Sequence, residues 1–505
     1  MKILVLQLAR YGDLLQTVPT LNALRRVYPS ATIDLLARGR YAPIVKNLAA
    51  VDNLIEFDSR EILEPIVNDA QALSKALDAV ESFTDGLADC QYDQIINLSF
   101  SPLSSYLVSA IAHKNTKVCG YTRHSDGFLA IPDDTSAYFY AQVGVDKFNR
   151  LHLTDIFAAV SGVELVESDF VFKSKLSKDS AFKELSIAGE LGKTPYVVLH
   201  PGASQIHKTL DPFKWRQVVR HLLSQYKGAI VILGSENEEP LGEAILDGLS
   251  HAQVVNGIGK TDFEDLFAVV RGAEAVVGGD SMMMHVASLE GVPCLNLSFS
   301  SVNFWETGPR SLNSRVIYSQ NNEDVSPDAV VRELMALLNN TTSGMPVYCR
   351  APGGIVSYQA QGEAVEEAQL QWDLIQAIYL GAEFPMIHNE LVAEGLYRLA
   401  EVAQVGLIQI NDMKNPKTRQ TAMSMFSQLD LLLQGIEKMV PSLQPLISWF
   451  QTERLRIGPG SFDQVIKATE KCFNDLLSVL SLYLGPNPGA QQIEEEYHGN
   501  HMDAK

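Results

Sequence analysis

Two kinds of apolar pattern alternate along the first 340 residues. KILVLQL (2–8), ATIDLLA (31–37), NLIEF (53–57), DQIINLS (93–99) and KVCGY (117–121) are short, nearly continuous apolar runs. Between them, apolar residues recur at helical spacing, about 14–27, 41–48, 62–85 and 103–112, with Pro19 expected to kink the first. The alternation resumes with YVVLH (196–200), GAIVILG (228–234), EAVVGGDS (274–281), VPCLNLS (292–298) and RVIY (315–318). Helices are predicted between these strands at 213–226, 262–273 and 282–290, and after them at 326–338, where Ser326 and Pro327 form a start signal. Continuous apolar strands alternating with helices predict parallel sheets buried on both faces. The chain therefore reads as α/β, with two doubly wound, Rossmann-like halves. Beyond residue 360 the pattern turns helical, over about 361–380, 387–411, 418–440 and 461–484.

The expected domains are residues 1–185, 186–342, a linker at 343–360, a helical extension at 361–485 and a polar tail at 486–505. A chain of 505 residues suits two or three domains. An apolar fraction of 46% and a charged fraction of 20% describe a folded, soluble protein. The net charge of −20 argues against nucleic acid as a partner. The five cysteines are scattered without metal-ligand or disulfide spacing, which suits a reducing cytoplasm. No run is long enough to span a bilayer, and no signal peptide is expected. A lipid-linked substrate would be met at the inner face of the cytoplasmic membrane.

Candidate chemistry lies where strands break into small and polar residues. HPGAS (200–204) and GGDSMMMH (278–285) each follow an apolar run and precede a helix. In open α/β sheets, ligands bind at the carboxyl ends of the strands and helix N-termini hold anions. Two such turns in one half suggest a nucleotide diphosphate. Asp13 follows Gly12 at the end of the first strand. It reads either as a helix N-cap or as a general base that the helix dipole keeps ionised. Arg10, Arg38 and Arg123 fall near predicted strand ends and could hold an anionic acceptor, though most such charges are simply solvated.

Four stretches carry a resemblance: KILVLQLARYGDLLQTVPTLNALRRVYP, VVLHPGASQIHKTLDPFKW, ILGSENEEP and VVGGDSMMMHVASLEGVPCLNL. In this order they resemble the ADP-heptose:lipopolysaccharide heptosyltransferases, glycosyltransferase family 9, over about residues 1–340. The resemblance implies a GT-B fold, two Rossmann-like domains facing a cleft, to which the helical extension would be an addition. It implies that Asp13 is the base and that Lys208 neutralises the donor diphosphate. Ser204 would contact phosphate, and Glu238 or Glu239 would bind the ribose hydroxyls. The family's D-[ST]-G-x-x-H signature matches Asp280, Ser281, Met282 and His285, with Met282 standing where Gly is usual. That departure bears on the donor sugar.

The expected reaction is an inverting transfer of a sugar, by resemblance a heptose from ADP-heptose, to a hydroxyl of a lipopolysaccharide core or another cell-surface glycan. No metal is required by this reading, and Mg²⁺ is compatible with it. An epimerase or hydrolase on the same fold is an alternative, as is a degenerate transferase kept as a scaffold. Gly12, Asp13, Lys208, Asp280 and His285 argue against the scaffold, and Met282 argues for it. The helical extension reads as a packed domain, a homo-oligomer surface or a docking site for an acceptor protein.

Overall fold

A computed structural model describes residues 1–68, 72–176, 189, 191–249, 251–343, 347–350, 358–361 and 368–485. The domain boundary expected near residue 185 and the polar tail at 486–505 lie outside the described residues. The chain divides into two compact units, Met1–Gly120 with Arg150–Val365, and Tyr121–Asn149 with Glu366–Lys505.

The first unit holds two parallel sheets. Strands β1 (Lys2–Gln7), β2 (Thr32–Arg38), β3 (Asn53–Phe57), β4 (Gln94–Asn97) and β5 (Lys117–Cys119) form one, in the order β3-β2-β1-β4-β5. A separate small hairpin, β6 (Thr122–Arg123) with β7 (Leu129–Ala130), falls in the second unit. The other large sheet contains β8 (Tyr196–His200), β9 (Ala229–Ile232), β10 (Val254–Asn256), β11 (Ala275–Gly279), β12 (Cys294–Phe299) and β13 (Arg315–Ser319). It is completed by β14 (Val347–Arg350) and β15 (Tyr358–Gln361). The order is β10-β9-β8-β11-β12-β13-β14-β15, parallel through β13 and antiparallel for the last two.

In each sheet the chain order reverses beside the first strand: β1 lies between β2 and β4, and β8 between β9 and β11. Such switch points leave a crevice beyond the strand ends where a ligand fits. The central parallel strands β1, β8 and β11 are almost wholly buried, as their continuous apolar runs require. Trp215, Val218, Val219 and Leu222 of the helix Pro212–Gln225 pack on Val197, Leu199, Ile230 and Val277. Burying each aliphatic side chain of this kind contributes about 1.5–3 kcal/mol relative to exposure.

Several elements depart from the sequence reading. The first helix runs Tyr11–Val27, so Gly12 and Asp13 lie inside its first turn, and Pro19 is accommodated in a buried position. The stretch 41–48 forms only the single 3₁₀ turn Ala42–Val45. Residues 62–85 divide into the helices Ser59–Asn68 and Leu73–Ala88. Part of the supposed linker at 343–360 is the hairpin β14–β15, whose first strand pairs Cys349 with Arg315 and Tyr348 with Val316.

The second unit is helical. Its main elements are Asp134–Gln142, Gln369–Tyr379, Glu390–Met413, Arg419–Phe426, Leu429–Met439, Gln444–Leu455 and Phe462–Leu484. Phe450 and Phe473 meet edge to face at 4.9 Å in a core with Leu396, Leu399, Leu446 and Leu480. The segment Tyr121–Asn149 belongs to this core rather than to the Rossmann-like halves. Gln142 donates to the Pro445 carbonyl at 2.9 Å, and Lys147 to Ser448 Oγ at 3.0 Å. Arg456 meets Asp134 at 2.8 Å. Among the described residues, no helix is long and apolar enough to cross a membrane.

Candidate active site

A cavity of about 890 Å³ opens at the two switch points of the first unit. Arg10, Tyr11, Gly12, Asp13 and Gln16 line it from the start of the first helix, joined by Arg40 and Tyr41 from the loop after β2. The opposite wall carries His200, Ser204 and Lys208 from the turn after β8, Glu238 after β9, and Asp280, Ser281, Met282 and His285 after β11. Phe263 and Thr307 also line it.

Asp13 occupies the third helical position, and Arg10 is the N-cap. The Arg10 backbone N–H donates to Asp13 Oδ2 at 3.0 Å. This corrects the reading of Asp13 as the N-cap itself, although the carboxylate does close a capping box. The expected effect of the helix dipole is also outweighed. Burial raises the Asp13 pKa above the usual carboxylate value, with a further push from Asp280, against the opposing Arg10 N–H and guanidinium. A carboxyl so tuned is a stronger base than a solvated one.

Gly12 leaves room for a close approach. A Cβ there would lie 3.2 Å from Cδ2 of the His285 ring. His285 is buried, which lowers its pKa to about 4 and keeps its ring neutral at physiological pH. On the same wall Lys208 Nζ lies 3.4 Å from Asp280 Oδ2. Thr307 Oγ1 donates to the other Asp280 oxygen at 3.0 Å. Gly279 lets the chain carrying Lys208 come in: its Cβ would stand 2.2 Å from the Lys208 carbonyl oxygen. Ser281, the N-cap of the helix Met282–Leu289, contacts Nδ1 of His200 through its hydroxyl at 3.3 Å. Burial lowers the His200 pKa as well.

Glu238 lines the cavity, but its carboxylate accepts from the Ser235 backbone at 2.6 Å and the Ser235 hydroxyl at 2.8 Å. It therefore serves locally as a cap. Glu239, one residue further round the helix start, is not in the lining. Met282 borders the cavity, half-buried. Arg38 and Arg123 do not line it. Arg38 ends β2 with its Nε buried, and Arg123 sits in the β6–β7 hairpin, donating to the Gly127 carbonyl at 3.2 Å.

The sequence reading missed the aromatic side of the site. The Tyr11 ring stands 4.9 Å from Tyr41 and 5.2 Å from Phe263, and its hydroxyl donates to the Arg40 carbonyl. Gln16 is also new. It is buried on the same helix face as Asp13, one turn on, and its Oε1 has no partner among the described residues. A polar residue spaced three from Asp13 inside an apolar stretch was the available signal for it.

The fold and cavity define a class, the α/β proteins built from two parallel, doubly wound sheets with a ligand-sized cavity at their switch points. The E. coli ADP-heptose lipopolysaccharide heptosyltransferase II shares the fold at a TM-score of 0.50 and 21% identity, over 67% of this chain and 99% of that one. The E. coli heptosyltransferase WaaC solved with ADP does so at 0.50 and 17%, over 67% and 100%. By sequence, the E. coli lipopolysaccharide heptosyltransferase 3 is 24% identical over 369 residues, 66% of this chain and 98% of the relative. Residues 80–335, just over half of the chain, match Glycosyltransferase family 9 (heptosyltransferase). The chain belongs to that family and is a glycosyltransferase. Each of these three proteins is covered almost end to end, while about a third of this chain has no counterpart in it.

Proposed function

We propose that the protein is a GT-B enzyme that transfers a heptose from ADP-heptose, with inversion, to a hydroxyl of a lipopolysaccharide-core acceptor. The observation that carries this reading is the meeting of Asp13 with Lys208, Asp280, Ser281 and His285 around one cavity. The names of the relatives support the choice of donor and acceptor.

In the proposed step, Asp13 takes the proton of the acceptor hydroxyl as that oxygen attacks the anomeric carbon. The bond from the anomeric carbon to the diphosphate oxygen breaks, and its electron pair leaves with ADP. Lys208 and the backbone N–H groups opening the helix Met282–Leu289 receive the growing charge. Lys208 moves from Asp280 toward the diphosphate when donor binds, and Thr307 keeps Asp280 in place. Glu238 reaches the ribose when the Ser235 cap opens, Ser204 contacts phosphate, and Met282 limits the space beside the sugar. Neutral His285 donates or accepts a hydrogen bond without adding charge.

The acceptor lies against the first wall. Arg10 and Arg40 have no salt-bridge partner among the described residues, in a chain of net charge −20. They suit an acceptor that carries carboxylate or phosphate, and Tyr11 and Tyr41 offer faces for a sugar ring. The reaction takes place on the cytoplasmic side of the membrane that holds the acceptor.

Calorimetric titration with ADP-, UDP- and GDP-sugars tests the donor, with ADP-heptose expected to bind most tightly. Transfer is then measured on a core acceptor lacking its outer heptose. Tighter binding of a UDP- or GDP-sugar, or release of free heptose without transfer, would overturn the reading.

A further inference from the structure

We infer that Tyr358, in the hairpin that follows the family-matched segment, is a positioning residue for the donor site, acting through the short helix Phe304–Thr307. The inference rests on the cavity being a nucleotide-sugar site. The helix has only four residues, too few to hold its place by its own hydrogen bonds. Its position must come from what packs on it.

The β14–β15 hairpin supplies that packing. Tyr348 and Tyr358 lie 4.6 and 5.6 Å from the Phe304 ring, and 5.9 and 5.7 Å from the Trp305 ring. Phe304 and Tyr358 are both buried, with Val316 of β13 beneath them. The Tyr358 hydroxyl donates to the Pro309 carbonyl, just past the end of the helix. The preceding carbonyl, of Gly308, contacts His152 Nε2 at 2.9 Å. Both anchors fall where the chain leaves the helix.

At that end stands Thr307, and its hydroxyl fixes one oxygen of Asp280 at 3.0 Å. The other oxygen faces Lys208 Nζ at 3.4 Å. A shift of the helix by a few tenths of an ångström would turn the Asp280 carboxylate and move the resting place of the Lys208 ammonium. The hairpin lies outside the residues matched by the family, 80–335, yet it reaches Lys208 through Pro309, Thr307 and Asp280. Tyr358 does not line the cavity. It sets the geometry of residues that do.

The test is Tyr358→Phe, which removes the hydroxyl and keeps the ring. ADP affinity by calorimetry and the KM for donor should weaken roughly five-fold, the equivalent of one hydrogen bond, with the acceptor KM unchanged. Thr307→Val should produce a loss of similar size. The double variant should be no worse than Thr307→Val alone, because both act on one linkage. Equal loss of donor and acceptor KM, unchanged ADP affinity, or additive effects would each overturn the inference. If the wild-type protein binds no ADP, the donor-site reading fails and takes the inference with it. If wild type binds ADP and Tyr358→Phe binds it equally well, only the inference falls.

Discussion

The two walls of the cavity are built on different plans. On the wall from the second sheet, polar groups are already engaged with one another: Lys208 with Asp280, Asp280 with Thr307, Ser281 with His200, Glu238 with Ser235. On the wall from the first helix, Asp13 is held by one backbone N–H, Gln16 Oε1 has no partner among the described residues, and Arg10 and Arg40 are exposed at the cavity. One wall is organised before any ligand arrives. The other keeps its chemistry available. The contrast fits a donor that must be gripped through a large change of charge, and an acceptor that must be oriented and deprotonated.

The largest effect expected from breaking this contrast is at Asp13. Asp13→Asn should cut transfer by about 10²–10⁴-fold while leaving ADP affinity unchanged. An equal loss of ADP affinity would show that the two walls do not divide the work. The wild-type pH profile sharpens the same point. The proposed base, Asp13, must be deprotonated to act, and burial raises its pKa. Activity should therefore fall on acidification at a pH above the ordinary Asp value of about 3.9. A limb at or below that value would remove the argument from burial.

Lys208→Met comes next. Loss of a fixed cation at the leaving group should lower kcat by about 10²–10³-fold. ADP affinity should weaken as well, since Asp280 would be left without its cation beside the proposed diphosphate. A drop in acceptor binding alone would place Lys208 on the wrong side of the comparison. The smallest effect is expected for Arg40→Gln, a several-fold rise in acceptor KM with donor KM constant. Arg40 is solvent-exposed, so the difference should shrink as salt is raised. A salt-independent effect would point to packing against Tyr41, whose ring lies 5.6 Å from the guanidinium.

Most strands of the two parallel sheets were legible because buried parallel strands are continuous apolar runs, whatever they pair with. β14 and β15 were not, since an edge hairpin is defined by its partner rather than by its own period. Gln444–Leu455 was missed as a helix because Pro441 and Pro445 punctuate its start. Around the cavity, Asp13 and the turn 278–285 were legible because a turn after a strand puts its residues at the cleft, while Lys208 and the separate roles of Asp280, Ser281 and His285 came from the family resemblance; all five line the cavity. Arg38 was misplaced by the same rule, for being near a strand end does not fix which way a side chain points. Glu239 shows the finer limit, since one step along a helix start rotates a side chain away. Tyr11, Tyr41 and Phe263 lie on three separate elements and meet only in the folded chain, and Thr307 comes near Asp280 only through the tertiary placement of its helix.

The joining of Tyr121–Asn149 to the distant helices has a consequence for how the protein is made. The partner of Gln142 lies 303 residues further on. Ribosomes extend chains at about 5–20 residues per second, so this segment emerges roughly 15–60 seconds before the helix it packs against. Both Rossmann-like sheets are complete in the nascent chain by then. The helical unit is the last to close, and until it does, a loop thrown out of the catalytic unit waits with its apolar face uncovered.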